Sequence, residues 1–245
     1  MKLIVAGATG LIGTEIIRQA LSNKAIDTVL ALGRRETAAP GNLPPGGDPS
    51  KLKSVVCSDF TNYSDDVKRQ LEGADACIWM LAITPSAARN MAPEEVRKIC
   101  MDYPLAGIEA LRKLPRGKNG KPLRFVYASG AMTERDQTKK PWMLADYVLM
   151  RGLTETKVLE AAAESDGEVA AAILKIGLVQ SSSTGFVTGM IRSAIGPLLG
   201  IRTVDVEDVA AASLDLATRK SFDKDTYVND DLIEIGQAYK RQQEE

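Results

Sequence analysis

The sequence predicts an α/β protein with a doubly wound parallel sheet and helices on both faces. Short apolar runs rich in β-branched residues alternate along the chain with longer stretches whose apolar residues recur three and four positions apart. This alternation is typical of strands joined by covering helices. The runs number six, which is the strand number of a doubly wound sheet. A glycine-rich loop separates the first run from the first helical stretch.

Strands are predicted at short apolar or β-branched runs, several of which are hydrophobic throughout, because a strand with helices on both sides has no solvent face. They are Leu3–Ala6, Thr28–Leu32, Ser54–Cys57, Ala76–Ile83, Arg124–Ala128 and Ala171–Ile176. Helices are predicted where apolar residues share one side of a helical repeat. They are Leu11–Leu21, Asp65–Leu71, Glu94–Leu114, Trp142–Ala163, Asp205–Thr218 and Leu232–Arg241, with a kink expected at Tyr103-Pro104. The Pro- and Gly-rich stretch Glu36–Ser50 is predicted to be a surface loop.

The chain has 245 residues, no internal repeat and no low-complexity tract. These features favour one domain over residues 1–245. The part from about residue 178 to residue 245 is expected to form a small C-terminal substrate region. Within it, Gln180–Gly200 combines Ser, Gly and Met with scattered apolar residues, a composition that predicts a mobile lid.

The charges nearly cancel, since 31 Lys and Arg and 32 Asp and Glu give a net charge of −1. A chain without a basic excess is a poor candidate for nucleic acid or for an anionic membrane surface. No apolar run approaches the ~18 residues of a membrane span. We therefore expect a small-molecule substrate, no nucleic acid and no membrane, in a monomer or homodimer.

Histidine is absent, which excludes Ser-His-Asp and Cys-His nucleophilic systems and zinc sites with histidine ligands. The three cysteines, Cys57, Cys77 and Cys100, lack the spacing of a metal site. No metal is predicted, and proton transfer must use Tyr, Lys or carboxylates. Cysteines inside apolar runs fit a reducing, cytoplasmic setting.

The glycine loop Gly7-Ala8-Thr9-Gly10-Leu11-Ile12-Gly13 follows the first predicted strand and opens the first predicted helix. Gly7 can form the tight turn, Gly10 lets the backbone approach a pyrophosphate without a Cβ atom, and Gly13 lets helix and strand pack closely. Amides at the helix N-terminus then face the anion. This context predicts a Rossmann-type dinucleotide cradle, with a glycine turn that binds nothing as the alternative. The cradle residues are Gly7, Thr9, Gly10, Leu11, Ile12 and Gly13.

An arginine pair follows the second predicted strand. About 20 residues beyond the glycines, a dinucleotide-binding unit places the residue that meets the adenosine ribose, and an acidic residue there selects NAD. This chain has Gly33-Arg34-Arg35 instead. A guanidinium holds a 2′-phosphate through paired hydrogen bonds, so Arg34 and Arg35 predict NADP(H) as the cofactor. A solvated charge pair at a strand end is the alternative.

The glycine loop, Ser58-Asp59-Phe60 and Gly73-Ala74-Asp75-Ala76 together resemble an atypical short-chain dehydrogenase/reductase of the NmrA-like branch. The resemblance extends through the chain in four further segments, Arg124–Ser129, Tyr147–Arg151, Ile176–Val179 and Val206–Ala210. It implies nucleotide contacts at the ends of the third, fourth and sixth strands. By this resemblance Asp59 and Phe60 lie near the adenine, Leu81, Ala82 and Ile83 line the cleft, and Gly177, Leu178 and Val179 approach the nicotinamide.

Members of that family that reduce carbonyls use a Tyr as acid, a Lys four residues later that lowers the Tyr pKa and holds the ribose, and a Ser that polarises the substrate. The matching residues here are Tyr147, Arg151 and Ser129. Tyr147 and Arg151 lie one helical turn apart and can share a face. Arg151 departs from the pattern, because a guanidinium is larger than an ammonium and has no accessible neutral form. The substitution either tunes hydride transfer or ends it.

Methionine and aromatic side chains adapt to irregular apolar ligands. On that basis the predicted pocket walls are Met132, Trp142, Met143, Phe186, Met190 and Ile191, although core packing explains each equally well. Three carboxylates near the same region, Glu134, Asp136 and Asp146, are interpreted as solvated loop charges rather than as acids or bases.

Three functions follow as hypotheses. The first is an NADP(H)-dependent oxidoreductase acting on a small, largely apolar carbonyl or enone. The second keeps the cofactor site but catalyses a non-redox isomerisation, cyclisation or dehydration. The third is an NmrA-like redox sensor that binds a dinucleotide without catalysis. The glycine loop, the arginine pair and the Ser/Tyr pair favour the oxidoreductase.

Overall fold

The computed structural model describes residues 1–117, 120–181 and 203–244. Within these ranges the strands are β1 (Lys2–Ala6), β2 (Thr28–Gly33), β3 (Leu52–Val56), β4 (Ala76–Trp79), β5 (Leu123–Gly130), β6 (Val169–Ile176), β7 (Leu178–Gln180), β8 (Thr203–Asp205) and β9 (Thr226–Val228). Seven of them form one sheet in the order β3-β2-β1-β4-β5-β6-β9, and every neighbouring pair is parallel. The remaining two, β7 and β8, pair with each other.

Helices cover both faces of the main sheet. They are α1 (Leu11–Ala20), α2 (Asp65–Leu71), α3 (Pro85–Ala88), α4 (Pro93–Arg97), α5 (Tyr103–Arg112), α6 (Ala145–Ala163), α7 (Val206–Thr218) and α8 (Asn229–Glu244). One hydrophobic core joins the sheet to α1, α7 and α8. A second core joins its other face to α2, α5 and α6. In the part of the chain that the structure describes, no helix is long and apolar enough to span a bilayer.

The first strand shows why the runs are hydrophobic throughout. Leu3 and Val5 point into one core, whereas Ile4 and Ala6 point into the other. Successive side chains of a strand alternate between faces, so a sheet buried on both sides needs apolar residues at every position. The predicted α/β Rossmann-type fold with a doubly wound parallel sheet is confirmed.

Several element boundaries differ from the predictions. β4 ends at Trp79, not at Ile83. β1 ends at Ala6, and the chain turns away at Gly7. Beyond Met80, β4 therefore has no neighbouring β1 backbone to which it could hydrogen-bond. The prediction of six strands missed β9, which adds a seventh to the main sheet, and it also missed the pair of β7 and β8. Each of these three strands has only three residues.

The predicted helix Glu94–Leu114 is three segments. α4 passes into a π-helical turn, Lys98–Asp102, which passes into α5. Pro104 has no N–H to bond to the carbonyl of Cys100, so a regular α-helical bond is impossible there. The predicted start at Trp142 of the helix that carries Tyr147 is also wrong, because Leu144 has the left-handed φ of 51° and α6 begins at Ala145.

Candidate dinucleotide and substrate site

The strand order places the predicted site residues along one edge of the sheet. Parallel strands present their carboxyl ends on the same side, and ligands bind where the strand order reverses. Here the order reverses between β1 and β4. The glycine loop follows β1, Leu81–Ile83 follows β4, and Ser129 lies near the end of β5. Residues far apart in the chain therefore border one crevice.

The glycine loop has the geometry that its sequence predicts. Gly7 has a φ of +84°, in the left-handed region, and a Cβ atom on it would lie 2.7 Å from the amide nitrogen of Leu81. A Cβ atom on Gly13 would overlap the carbonyl oxygen of Gly7. Glycine at these two positions allows the ends of β1 and β4 and the start of α1 to pack together.

Gly10 faces open space by contrast. Its backbone is extended, and a Cβ atom there would meet only the Gly7 carbonyl oxygen, at 3.4 Å. Among the described residues no side chain caps α1, so the first amides of the helix point outward uncovered. A cavity of about 470 Å³ lies beside the loop, and its lining includes Thr9, Gly10, Leu11, Thr14 and Asn42. The donors, the helix dipole and the space fit a pyrophosphate.

The arginine pair lies where the sequence predicts it. Arg34 and Arg35 follow the last residue of β2 and are exposed to solvent. Asp59 follows β3, and its carboxylate accepts hydrogen bonds from the backbone N–H and the hydroxyl of Thr61. These bonds lower the pKa of Asp59. Phe60 is 1% exposed and packs against other aromatic rings, so only its backbone can face a nucleotide.

The remaining predicted nucleotide contacts are half-buried at strand ends. Leu81, Ala82 and Ile83 form the loop between β4 and α3. Gly177 separates β6 from β7, and its amide donates a hydrogen bond of 2.8 Å to the side-chain oxygen of Asn229. Leu178 and Val179 lie in β7, so their strand is anchored beside the end of β6. Their contacts with a cofactor stay predictions.

Tyr147 and Arg151 do share one face of α6. The Tyr147 hydroxyl donates a 2.7 Å hydrogen bond to the carbonyl of Ile83. Burial raises the pKa of Tyr147, and the Arg151 guanidinium opposes part of that rise. Tyr147 is therefore protonated near neutral pH and can donate a proton. Arg151 donates a 2.6 Å bond to the carbonyl of Ala128 and lies over the ring of Tyr127, 5.2 Å from its centroid.

Arg151 also has donors to spare. It is 3% exposed, and its Nε and Nη1 have no hydrogen-bond partner within residues 1–117, 120–181 and 203–244. Buried donors normally find acceptors. The hydroxyl oxygens of a ribose bound at the edge of this crevice could accept hydrogen bonds from Nε and Nη1 of Arg151. The two orphaned donors fit a bound dinucleotide.

Ser129 is not directed at Tyr147. Its hydroxyl donates a 2.6 Å hydrogen bond to the carboxylate of Glu155, which is fully buried on α6. The same carboxylate also accepts from Thr133 and, at 2.7 Å, from Nε of Arg135, and it lies 3.5 Å from Nζ of Lys175. The single proton of Ser129 is thus committed within the protein. We call this set of five residues the Glu155 network.

Sequence reasoning missed the Glu155 network. A partial signal was present, because Tyr147, Arg151 and Glu155 follow one another at four-residue intervals and so form one helical stripe. The partners of the carboxylate come from β5, from the loop after it and from β6. No local pattern indicates that these segments converge.

Two cavities flank the start of α6. Of the predicted pocket walls, Met132, Trp142 and Met143 line one cavity of about 460 Å³, and the Trp142 side chain is 79% exposed. Phe186, Met190, Ile191 and most of the predicted lid, Gln180–Gly200, lie outside the described residues. The second cavity, of about 510 Å³, is the one that Tyr147 lines, together with Ala88, Val96, Leu144 and Met150, with Arg89 and Arg97 at its wall.

The parallel sheet, the glycine loop and the crevice define a Rossmann-type nucleotide-binding protein. More narrowly, the chain belongs to the NAD(P)H-binding family, whose model matches residues 7–220. This membership agrees with the resemblance to an atypical short-chain dehydrogenase/reductase that the sequence shows. A curated relative from Candida albicans, Protein FMP52, mitochondrial, is 27% identical over 165 residues, which cover 66% of this chain and 67% of that protein.

Solved structures share the fold. Vestitone reductase from alfalfa (Medicago sativa L.) has a TM-score of 0.63 at 21% identity, over 93% of this chain and 76% of that one. MoeE5 in complex with UDP-glucuronic acid and NAD has a TM-score of 0.64 at 20% identity, over 93% of this chain and 75% of that one. Structural neighbours include reductases and epimerases.

Proposed function

We propose that this protein is an NADP(H)-dependent oxidoreductase that acts on a small, largely apolar carbonyl or enone substrate. The proposal rests on the position of Tyr147. Its hydroxyl donates a hydrogen bond to the carbonyl of Ile83, after β4, and the residue lines a cavity with apolar walls at Val96, Leu144 and Met150 and charged walls at Arg89, Glu94, Arg97 and Asp146. A cavity with apolar walls and a protonated tyrosine suits a carbonyl compound.

The residues divide the work of this reaction. The amides at the start of α1 would hold the pyrophosphate, the guanidinium groups of Arg34 and Arg35 would hold the 2′-phosphate, and the unpaired donors of Arg151 would hold the ribose. NADPH, when bound, would supply a hydride to the carbonyl carbon. Tyr147 gives its proton to the carbonyl oxygen, so that the product is an alcohol. The positive charge of Arg151 stabilises the tyrosinate that is left.

Ser129 contributes differently from the prediction that it polarises the substrate. Because its hydroxyl donates its hydrogen bond to Glu155, we propose that Tyr147 is the proton donor and that Ser129 joins β5 to α6. We also propose, as the sequence predicts, that residues 1–245 form one domain whose substrate side begins at about residue 178. The cytoplasmic location and the choice between monomer and homodimer stay predictions.

Tyr147→Phe is expected to lower the rate of NADPH oxidation by about 100- to 10,000-fold, the range for losing a general acid. The variant keeps the ring and loses one hydrogen bond, so it should stay folded and should bind NADPH as wild type does. Steady-state kinetics over a panel of ketones, aldehydes and enones, followed by NADPH absorbance, measures the effect.

Tyr239→Phe is the matched control. Tyr239 lies on α8, and its hydroxyl accepts a hydrogen bond from Asn23, which follows the end of α1 opposite the glycine loop. The variant should retain wild-type turnover. Tyr147→Phe with unchanged turnover would show that Tyr147 is not the acid. Ser129→Ala should lose stability, whereas a rate loss as large as that of Tyr147→Phe would restore the serine to a catalytic role.

Arg34→Ala/Arg35→Ala is expected to weaken NADPH binding by about 10- to 100-fold and to leave NADH binding nearly unchanged. A charge-assisted hydrogen bond contributes about 1.5–3 kcal/mol, and about 1.4 kcal/mol is a factor of ten in affinity. Titration calorimetry with both nucleotides measures this. Arg69→Ala, an exposed arginine on α2, is the control. Equal weakening of NADH binding, or none for NADPH, would contradict the assignment of the 2′-phosphate to this pair.

One feature favours a second candidate function. Arg151 is permanently charged and cannot relay a proton, which suits a non-redox isomerase or cyclase, or a dinucleotide-binding sensor. The panel above separates these functions. Turnover without net NADPH consumption supports the isomerase or cyclase, and tight nucleotide binding without any turnover supports the sensor.

A further inference from the structure

We propose that Cys100 is a positioning residue for Tyr147, acting through the backbone of Ile83. The inference rests on the proposed function insofar as Tyr147 is the acid of the reaction. Among the predicted cofactor residues, Cys100 contacts Ile83 through its side chain. Its role is to fix the carbonyl group that holds the Tyr147 hydroxyl when no substrate is present.

The contacts form a chain of three residues. The amide of Ile83 donates a hydrogen bond to Sγ of Cys100, at 3.2 Å, and the thiol lies 3.9 Å from the carbonyl oxygen of the same residue. That carbonyl oxygen accepts the 2.7 Å hydrogen bond from Tyr147. One side chain therefore contacts both polar groups of Ile83, and the orientation of the carbonyl follows from it.

Ile83 needs such an anchor because it lies outside the sheet. β4 ends at Trp79, and α3 begins at Pro85. Between them the backbone lacks the ladder of hydrogen bonds that orients carbonyl groups in a strand. The thiol of Cys100 supplies an acceptor at this place, and the loop is held against the π-helical turn.

Cys100 lies in the π-helical turn, and its backbone carbonyl links it to a second part of the site. Pro104 prevents a regular α-helical bond to the Cys100 carbonyl, and that carbonyl instead accepts a hydrogen bond of 3.3 Å from the hydroxyl of Tyr127 on β5. The ring of Tyr127 in turn lies under the guanidinium of Arg151. Turns of this kind occur often at functional sites. The side chains of Tyr147 and Arg151 thus contact the carbonyl of Ile83 and the ring of Tyr127, two groups of residues that are hydrogen-bonded to Cys100.

The arrangement has a consequence for the reaction. The hydroxyl of Tyr147 can donate one hydrogen bond, and in this structure the Ile83 carbonyl accepts it. A substrate carbonyl must replace the Ile83 carbonyl as the acceptor. The contact therefore keeps Tyr147 ordered and protonated until the substrate arrives.

The test is a double-mutant cycle with Cys100→Ala and Tyr147→Phe, measured as the free energy of unfolding in urea. If Cys100 acts through Ile83, the two effects are not additive, and the coupling changes the unfolding equilibrium constant by a factor of about 3 or more. Cys77→Ala is the matched control, because Cys77 is also fully buried but lies in β4. Its cycle with Tyr147→Phe should be additive.

A second readout reports on the hydroxyl itself. With tyrosine labelled at ¹³Cζ, the resonance that Tyr147→Phe removes is expected to move in Cys100→Ala, to return part of the way in Cys100→Ser, which keeps an acceptor, and to stay in place in Cys77→Ala. If Cys100→Ala does not fold, the spectrum of Cys100→Ser decides instead: a partial shift of the Tyr147 resonance supports the positioning role, and an unmoved resonance overturns it.

Additive effects together with an unmoved Tyr147 resonance would overturn the proposal. Neither readout needs turnover. If the wild-type protein shows no oxidoreductase activity, the proposed function fails while the coupling still decides the role of Cys100. If activity is present and the coupling is absent, only the positioning role fails.

Discussion

Gly10→Ala is expected to weaken NADPH binding by about 10- to 100-fold while leaving the stability of the protein almost unchanged. The backbone of Gly10 is extended, with a φ of −76°, so alanine adopts it without strain. The added methyl group meets only one carbonyl oxygen, at 3.4 Å. It projects instead into the space that a pyrophosphate would occupy, where an extra methyl in a close-packed contact costs about 1–3 kcal/mol.

Gly13→Ala gives the contrasting result. Its Cβ atom would overlap the carbonyl of Gly7, so the start of α1 must move away from the end of β1. We expect a loss of about 1–3 kcal/mol of stability or more, with weaker NADPH binding as a secondary effect. The two substitutions add the same methyl group three residues apart, which makes each the control for the other.

Thermal unfolding and NADPH titration of both variants measure the pair. A Gly10→Ala protein that unfolds like wild type but binds poorly identifies the loop as the cradle of a dinucleotide. A Gly10→Ala protein that binds NADPH as tightly as wild type would contradict that role, because no backbone would then approach the ligand closely at this position.

Glu155→Ala is expected to destabilise the fold by about 3–5 kcal/mol. The carboxylate is fully buried between Arg135, Lys175 and the two hydroxyl groups of Ser129 and Thr133. Its removal leaves Lys175, which is 19% exposed, without this counter-charge and leaves Arg135 with only the longer ion pair to Asp225, at 3.8 Å. Removing one partner of a buried ion pair carries a cost of about this size. Because small proteins are stable by only about 5–15 kcal/mol, the loss is a large fraction of the total.

Urea unfolding measures this loss, with Glu109→Ala as the control. Glu109 pairs with Arg112 and Lys113, and its side chain is 42% exposed. Exposed pairs of this kind contribute about 0–1 kcal/mol. If Glu155→Ala were no more destabilising than Glu109→Ala, the Glu155 network would not stabilise the packing of β5 on α6. The structural role proposed for the Ser129 hydroxyl would then be contradicted.

The sequence alone predicts the main features of the fold because they depend on residue patterns within single strands, helices and loops. The inner strands β1 and β4 are continuous apolar runs over Leu3–Ala6 and Ala76–Trp79, since both of their faces are buried, and each covering helix has an apolar face. The glycine loop and the arginine pair are also local, because their positions relative to the first two strands are set by the chain itself. The four-residue spacing likewise places Tyr147 and Arg151 on one face of a helix.

Other features are decided only by contacts between distant segments. β9 has three residues and exists because Thr226 pairs with Ile173 of β6. So short a strand leaves no recognisable period in the sequence. Its position becomes definite only when β6 is already in the sheet and offers an unpaired edge.

The candidate site divides in the same way. Residue types at strand ends predict a dinucleotide site, but the partners of each side chain depend on packing. Ser129 meets Glu155 across 26 residues, and Tyr147 meets Ile83 across 64. A hydroxyl bonds to whichever acceptor the folded chain brings within about 3 Å. Periodicity gives the face on which a side chain lies, and only the tertiary structure gives the group that it meets there.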